Sequence, residues 1–527
     1  MKMRRSIPVT HISQLAPQPR SGRSPVLVVA SGVVVALAAF IYFSTYCDDS
    51  LFQSDAADYL RAAEGGFVAS YFDTRSVGLW GTIALVKAHP EVRPHIWDFL
   101  DRENDAAAAR HFHVAPGFYG AVLARSMNAG NRTQRLIMAG TGAAAIGILW
   151  AGLLMASVPW WAAAGAAILA VLTPAINLTS TDISPHAPFM ASLLACGFAL
   201  ARYLESRARL WGVLTGISLA LCVATCELSL VVLVAFSLVL GWAVVRHGAR
   251  AAAQLVATPL LVFFASLAIL WPAGVLKGSY ALSYGVFVFQ ALFRSHAYFG
   301  HAGPVEGILR GMQGSYLVLA VAVIVALAAG ILVSSRRATP YLPVMALLTL
   351  GFFGQGVLNR FQNATYAAHF AVLLWALFAI TVKECLLDSV GMRRRATVSA
   401  LALALVLTGA AATRWPAAVR RDHEMGRRMV NRAGEAIEVA RHSIPRGQTV
   451  LTNALPEMWR LYLPGPRVEE SASPSTLEPK EWVSMPEDYW IIADPVLLTA
   501  AEEHSLEPGE ITTVAGFILS HVQPSPR

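Results

Sequence analysis

Residues 136–181 read LIMAGTGAAAIGILWAGLLMASVPWWAAAGAAILAVLTPAINLTST, and not one of them carries a charge. A helix crosses a bilayer with about 20 apolar residues. This run therefore holds two crossings, joined by a tight turn near Pro159. Unpaired charges are costly at membrane depth, so their absence over such a length decides the class of fold.

Working outward, further apolar runs occur at 24–45, 187–203, 209–225, 228–245, 251–272, 313–334, 340–358, 365–382 and 396–413. Counting 136–155 and 158–177 as two, the sequence predicts about eleven transmembrane helices. Only 14% of the 527 residues are charged, against about 25% in soluble proteins. An ordinary soluble enzyme is excluded. The pair 209–245 is interrupted by Glu227, which reads as the tip of a helical hairpin.

Arg207 and Arg209, Arg246 and Arg250, Arg336 and Arg337, and Arg393 to Arg395 fall on one side of this count, together with the basic N-terminus. Lys and Arg concentrate in cytoplasmic loops, so that side is the cytoplasmic one. The net charge of +8 reads as such flanks and not as a nucleic-acid surface; no nucleic-acid partner is expected. The start of the chain reads as a retained anchor, since no small-residue cleavage pattern follows the first apolar run. The predicted organisation is a cytoplasmic tail at 1–23, a transmembrane region at 24–413 and an extracytoplasmic segment at 414–527. A large outside loop occupies 46–135. In the last segment, 420–442 looks helical, and Thr449–Leu451 and Tyr489–Ile492 look like strands between Pro- and Ser-rich turns. The predicted fold is thus an all-α polytopic membrane protein with a small C-terminal α/β domain.

Five cysteines give no framework. Cys222 and Cys226 share a helix face at i, i+4, but no histidine or second pair joins them, and a zinc site is not expected. The first outside loop begins CDDSLFQSDAADYLRAAEGGF (47–67). Asp48, Asp49, Asp55 and Asp58 crowd the exit of the first helix, and Asp55, Tyr59 and Ala62 share a helical face. Such a carboxylate can serve as a general base where burial raises its pKa. The same residues also read as solvated interfacial acids, one of them capping the next helix.

SDAADYLRAAEGGF resembles the segment after the first helix of the GT-C glycosyltransferases, polytopic enzymes that use polyprenyl-phosphate sugars. The protein O-mannosyltransferase and aminoarabinose transferase groups are among them. RHFHVAPGFYGAVLARS (110–126), RLIMAGTGAAAIGILW (135–150), TPAINLTSTDISPHAPFMASLLACGFALARYLE (173–205) and LWGVLTGISLALCVATCELSL (210–230) resemble later segments of that family, in order. Two departures stand out: relatives place a Lys near Thr225–Glu227, and some carry Asp-Glu where this chain has Asp55-Ala56.

The resemblance implies an inverting transfer from a polyprenyl-phosphate sugar to a lipid, cell-envelope glycan or protein, at the outer face of a bacterial cytoplasmic membrane. It implies Asp55 as the catalytic base and Asp182 as a second acid; Asp48 and Asp49 compete for the base. Arg360, Lys277, Tyr59 and His113 are the expected donor-binding residues, with Arg294 a further basic candidate. A helix-end Lys or Arg also reads as a snorkelling anchor. His113, His186, His296, His301 and His369 map to the outer side, but without familiar ligand spacing; no metal or other cofactor is expected, although a divalent ion is compatible with the aspartates. A transporter or lipid flippase is the alternative, disfavoured because the spans are almost free of charge. A scaffold whose tail binds a partner is a third reading.

Overall fold

The computed structural model describes residues 24–52, 78–90, 129–226, 228–278, 339–358, 364–387, 391–472, 483–498 and 512–523, with isolated positions between them (56, 57, 59, 60, 68, 71, 72, 126, 281, 285, 475 and 477–479). In these segments the chain is a helical bundle followed by a small sheet. The helices are α1 (Pro25–Ser44), α2 (Gly78–Ala88), α3 (Asn131–Met155), α4 (Trp160–Leu172), α5 (Pro174–Thr181), α6 (His186–Ser206), α7 (Arg209–Thr225) and α8 (Ser229–His247). They continue with α9 (Ala249–Leu270), α10 (Pro272–Leu276), α11 (Tyr341–Leu358), α12 (Ala364–Leu387), α13 (Gly391–Ala412) and α14 (Trp415–Ser443). Among the described residues six helices are long and apolar enough to cross a membrane, or seven if α4 and α5 form one broken span. The protein is a multi-pass membrane protein. Nine of the eleven predicted spans each coincide with one helix, and 158–177 with the pair α4 and α5; the eleventh, 313–334, lies outside the described residues, as does Glu227.

Lipid offers no hydrophobic drive for helices to associate, so close packing must hold them together. The main contact of α1 is with α3, and it turns on two glycines. A side chain on Gly147 would stand 2.6 Å from the Gly32 carbonyl, and one on Gly32 would stand 3.0 Å from that of Gly147. The outward faces are apolar: Val26, Val29, Val33 and Leu37 of α1, and Leu261 and Phe264 of α9, are all more than half exposed. They are the lipid-facing surface. The Ala367–Glu384 stretch of α12 is buried throughout and forms the axis of the bundle.

Two helices differ from the sequence expectation. The span predicted at 158–177 is broken by a bend of 63° between α4 and α5. Pro174 supplies the cause, because proline cannot donate to the preceding turn and forces Thr173 into an extended conformation. The bend is tied to the axis by the Trp375 Nε1 bond to Thr173 Oγ1, 3.0 Å. Helix α3 starts five residues before the predicted 136, carrying Arg132 and Arg135 into its first turns.

After α14 come β1 (Thr449–Thr452), α15 (Pro456–Tyr462), β2 (Arg467–Glu470), β3 (Tyr489–Ala493), β4 (Thr512–Val514) and β5 (Phe517–Val522). The sheet order is β2-β1-β3-β5-β4. Strands β2, β1 and β3 are parallel, whereas β3, β5 and β4 pair antiparallel. One face packs on the last turns of α14: Ala433, Ala436, Ile437 and Ala440 meet Val450, Trp459, Ile492 and Leu519 in one buried cluster. The expected strands at 449–451 and 489–492 are β1 and β3, and the expected helix at 420–442 is the greater part of α14.

Candidate functional site

At one end of the bundle the first helix gives way to residues Tyr46–Phe52, where a dense set of polar contacts joins distant segments. Arg135, in the second turn of α3, is the hub. Its Nη1 donates to the carbonyls of Asp48 (3.1 Å) and Ser50 (2.6 Å), and its Nη2 to that of Leu51 (3.3 Å). The guanidinium lies 4.1 Å over the Phe52 ring. Asn131 adds bonds to the carbonyls of Asp49 and Ser50, and the Arg132 amide donates to Asp49 Oδ1. A loop with no secondary structure of its own thus has its backbone acceptors satisfied by one helix end.

The Asp48 carboxylate is shared by three groups. Arg135 Nη1 is 3.7 Å from its Oδ1, the Ser50 hydroxyl donates to the same oxygen, and Arg427 of α14 pairs with Oδ2. Burial alone would raise this carboxyl; the Ser50 bonds and the two guanidinium groups outweigh it and hold it below the ordinary carboxylate value. Next to it, burial pushes the Cys47 thiol up to about 11.

Helix α14 joins the same assembly one turn earlier. The His423 ring stacks on Tyr46 with centroids 4.9 Å apart. Its Nε2 lies 3.1 Å from Asn177 Oδ1 of α5, a bond in which the imidazole N–H donates. Burial, then the nearby Arg427, pushes His423 down to about 4, so it is neutral at physiological pH. Tyr462 of α15 completes the ring of contacts: its hydroxyl accepts the Phe52 amide at 2.9 Å.

Of the predicted site residues, Tyr59 and Asp182 are brought into one neighbourhood. Phe52, Ala56, Tyr59 and Leu60 form a buried cluster with Met138 of α3 and Ile183, the residue after Asp182. Asp182 ends α5, is exposed, and accepts the Ile183 amide on Oδ1 at 2.9 Å. It occupies the C-cap position of α5, in extended backbone. Lys277 lies apart from that cluster, at the end of α10. Its carbonyl accepts the amides of Leu79 (3.0 Å) and Trp80 (3.4 Å) at the start of α2. Asp55, Asp58, His113, Arg294, His296, His301 and Arg360 lie outside the described residues.

His186 and His369 are buried inside the bundle. Their ring centroids are 5.0 Å apart among Phe189 and Phe352. Cys226 lies past the end of α7 in extended backbone, so it shares no helix face with Cys222; its Sγ is 3.8 Å from His186 Nδ1. Among the described residues no three His, Cys, Asp or Glu side chains converge as a metal site would require. Sequence reasoning missed Arg135, Arg427, His423 and Tyr462, whose partners lie in other segments; the one available signal was the pair Arg132 and Arg135 at the mouth of an uncharged run.

No protein-family profile matches the chain, and no curated protein matches it. In three dimensions it is similar to crystal structures of ArnT from Cupriavidus metallidurans. The structure bound to undecaprenyl phosphate has a TM-score of 0.54 at 13% identity, covering 95% of this chain and 100% of that one. The structure in the apo state gives 0.50 at 13% identity, covering 94% and 99%. At this identity the likeness is one of fold, and the fold is that expected from the GT-C resemblance.

Proposed function

We propose that this chain is a membrane glycosyltransferase that moves a sugar from a polyprenyl-phosphate donor to an extracytoplasmic lipid, envelope glycan or protein. The observation that carries the reading is the fold, shared over 95% of the chain with a protein whose structure holds undecaprenyl phosphate. In this reading the shorter apolar helices also cross, giving eleven spans. The N-terminus is cytoplasmic, and α14 with the sheet stands outside a bacterial cytoplasmic membrane.

Asp55 acts as the base of an inverting displacement. It accepts the proton of an acceptor hydroxyl or amine as that atom attacks the anomeric carbon, and the lipid phosphate departs. Asp182 faces the same reaction and orients the acceptor. Arg360 and Lys277 meet the leaving phosphate, where cationic donors stabilise developing charge, and Tyr59 and His113 line the donor site. Support comes from the packing of Ala56 and Tyr59, either side of which the first-loop acids lie, against Ile183 beside Asp182.

The test is transfer in membranes carrying wild-type or Asp55→Asn protein at matched expression, with extracted polyprenyl-phosphate sugars as donors and glycan followed on lipid, protein and wall fractions. A general base contributes about 10²–10⁴-fold, so the expected result is loss of one labelled product on that scale. A product made equally by both proteins removes Asp55 from the mechanism.

A further inference from the structure

Helix α14 has two distinct faces. Trp415, Val419, Val430, Ala433, Ile437 and Ala440 are buried. Arg420, Arg421 and Arg428 are exposed, with Arg421 69% exposed, and Met425 lies between the last two at 55%. Residues 421, 425 and 428 are spaced i, i+4 and i+7, so they form one stripe.

Contacts fix the level at which this stripe stands. The twenty residues of α1 span about 30 Å, the thickness of a hydrocarbon core. Tyr46 and Asp48 follow directly after it and so lie among lipid headgroups. His423 stacks on Tyr46 and Arg427 pairs with Asp48, which sets residues 420–428 at the same level. Arg427 is committed to Asp48, and Arg432 donates to the Ala515 carbonyl. Among the described residues the Arg421 guanidinium pairs with its neighbour Asp422, at 3.5 Å, and Arg420 Nε donates to the Pro416 carbonyl. From the N-cap Arg414 to Arg432 the chain carries six Arg against Asp422 and Glu424.

In the orientation proposed above this flank of the last span is the outer one, where Lys and Arg are ordinarily sparse. An excess of unspent arginines there calls for an anionic counterpart. The interleaved Met425 adds an apolar contact of the kind interfacial helices make with the acyl boundary. We infer that Arg420, Arg421 and Arg428, with Met425, form a docking surface for the phosphate-bearing headgroups of anionic membrane lipid. The surface holds α14, and through it the Asp48 loop, against the leaflet.

The test uses delipidated full-length protein in a neutral detergent, titrated with mixed micelles of phosphatidylglycerol or phosphatidylcholine, with bound lipid counted by native mass spectrometry. Wild type is expected to prefer phosphatidylglycerol on the order of tenfold or more, since each basic residue at a charged surface adds a comparable increment. The preference should weaken in high salt. It should vanish in R420Q/R421Q/R428Q and survive in R420K/R421K/R428K, with all three proteins unfolding at nearly the same temperature in phosphatidylcholine. If the Gln variant fails to fold, the salt titration of wild type and the Lys variant carries the decision. Equal retention by wild type and the Gln variant overturns the inference. So does a wild type without preference, or displacement of the lipid by millimolar inorganic phosphate, which would mark a free-anion site. No transfer assay is involved, so failure here leaves the glycosyltransferase reading standing.

Discussion

The loop that leaves the first helix and the turn that follows Thr181 lie at the same end of the bundle, yet they hold their carboxylates in opposite ways. Asp48 is gripped by Arg135, Arg427 and the Ser50 hydroxyl. Asp182 is exposed at a helix end, with one oxygen on the next backbone amide. A carboxylate committed to two guanidinium groups is a weaker base and has few lone pairs left for a substrate. In the reading proposed above, Asp48 serves the architecture and Asp182 the reaction.

Four measurements can break or sharpen this contrast. Arg135→Leu has the largest expected effect on stability. It takes a donor from three backbone carbonyls, of which, among the described residues, only that of Ser50 keeps Asn131, and leaves Asp48 with one cation. Breaking such a buried charged contact costs about 3 kcal/mol, read as a fall in unfolding temperature in detergent. Arg135→Lys should recover only part, because an ammonium cannot fork between the carbonyls of Asp48, Ser50 and Leu51. Full stability in Arg135→Leu would dissolve the hub.

His423→Gln comes next, and its effect depends on pH. The imidazole is pushed down to about 4 in the folded protein from an ordinary 6.5. Protons therefore bind the unfolded chain more readily across that window, and stability falls as pH drops from 6.5 towards 4. The variant should lose part of this acid sensitivity, seen as a flatter plot of unfolding temperature against pH.

Asp48→Asn is expected to cost about 1 kcal/mol, reduced by its partial exposure to solvent. Its carboxyl is held below the ordinary 3.8. Its contribution is thus complete above that value and lost as pH falls through the folded one. Transfer should be nearly intact. Asp182→Asn has the smallest expected effect on stability, within about 0.5 kcal/mol, but should lower transfer more than Asp48→Asn does. The reverse ranking of the two in a transfer assay would overturn the division of roles.

Much of the bundle was legible because a membrane imposes one strong rule, the apolar run, and nine predicted spans each became one helix. What escaped was whatever the rule does not address. The break at Thr173 leaves hydropathy unchanged, and only Pro174 hints at it. The i, i+4 reading of Cys222 and Cys226 failed because it ran past Thr225, where the predicted span and α7 both end. In the sheet, β1 and β3 were readable as short apolar runs. The edge strands β2 and β4, RVEE and TTV, have too little apolar pattern to stand out.

The site divides in the same way. The acids after the first helix were evident as a cluster, and the neighbourhood of Tyr59 and Asp182 followed from ordered motifs. Their stabilising partners were not evident. Arg135 bonds mainly to loop carbonyls, which leave no mark in side-chain pattern, and Arg427 and Tyr462 come from the far end of the chain.

That distance has a consequence for biosynthesis. Asp48 can meet Arg135 once the second predicted span emerges, but Arg427 is about 290 residues further on. At 5–20 residues per second of translation, roughly 15–60 s separate the two encounters. Arg135 is therefore the nursery partner of the first loop, holding its carbonyls while the remaining helices insert. Arg427 and Tyr462 arrive last, as a latch that closes only on a bundle already assembled.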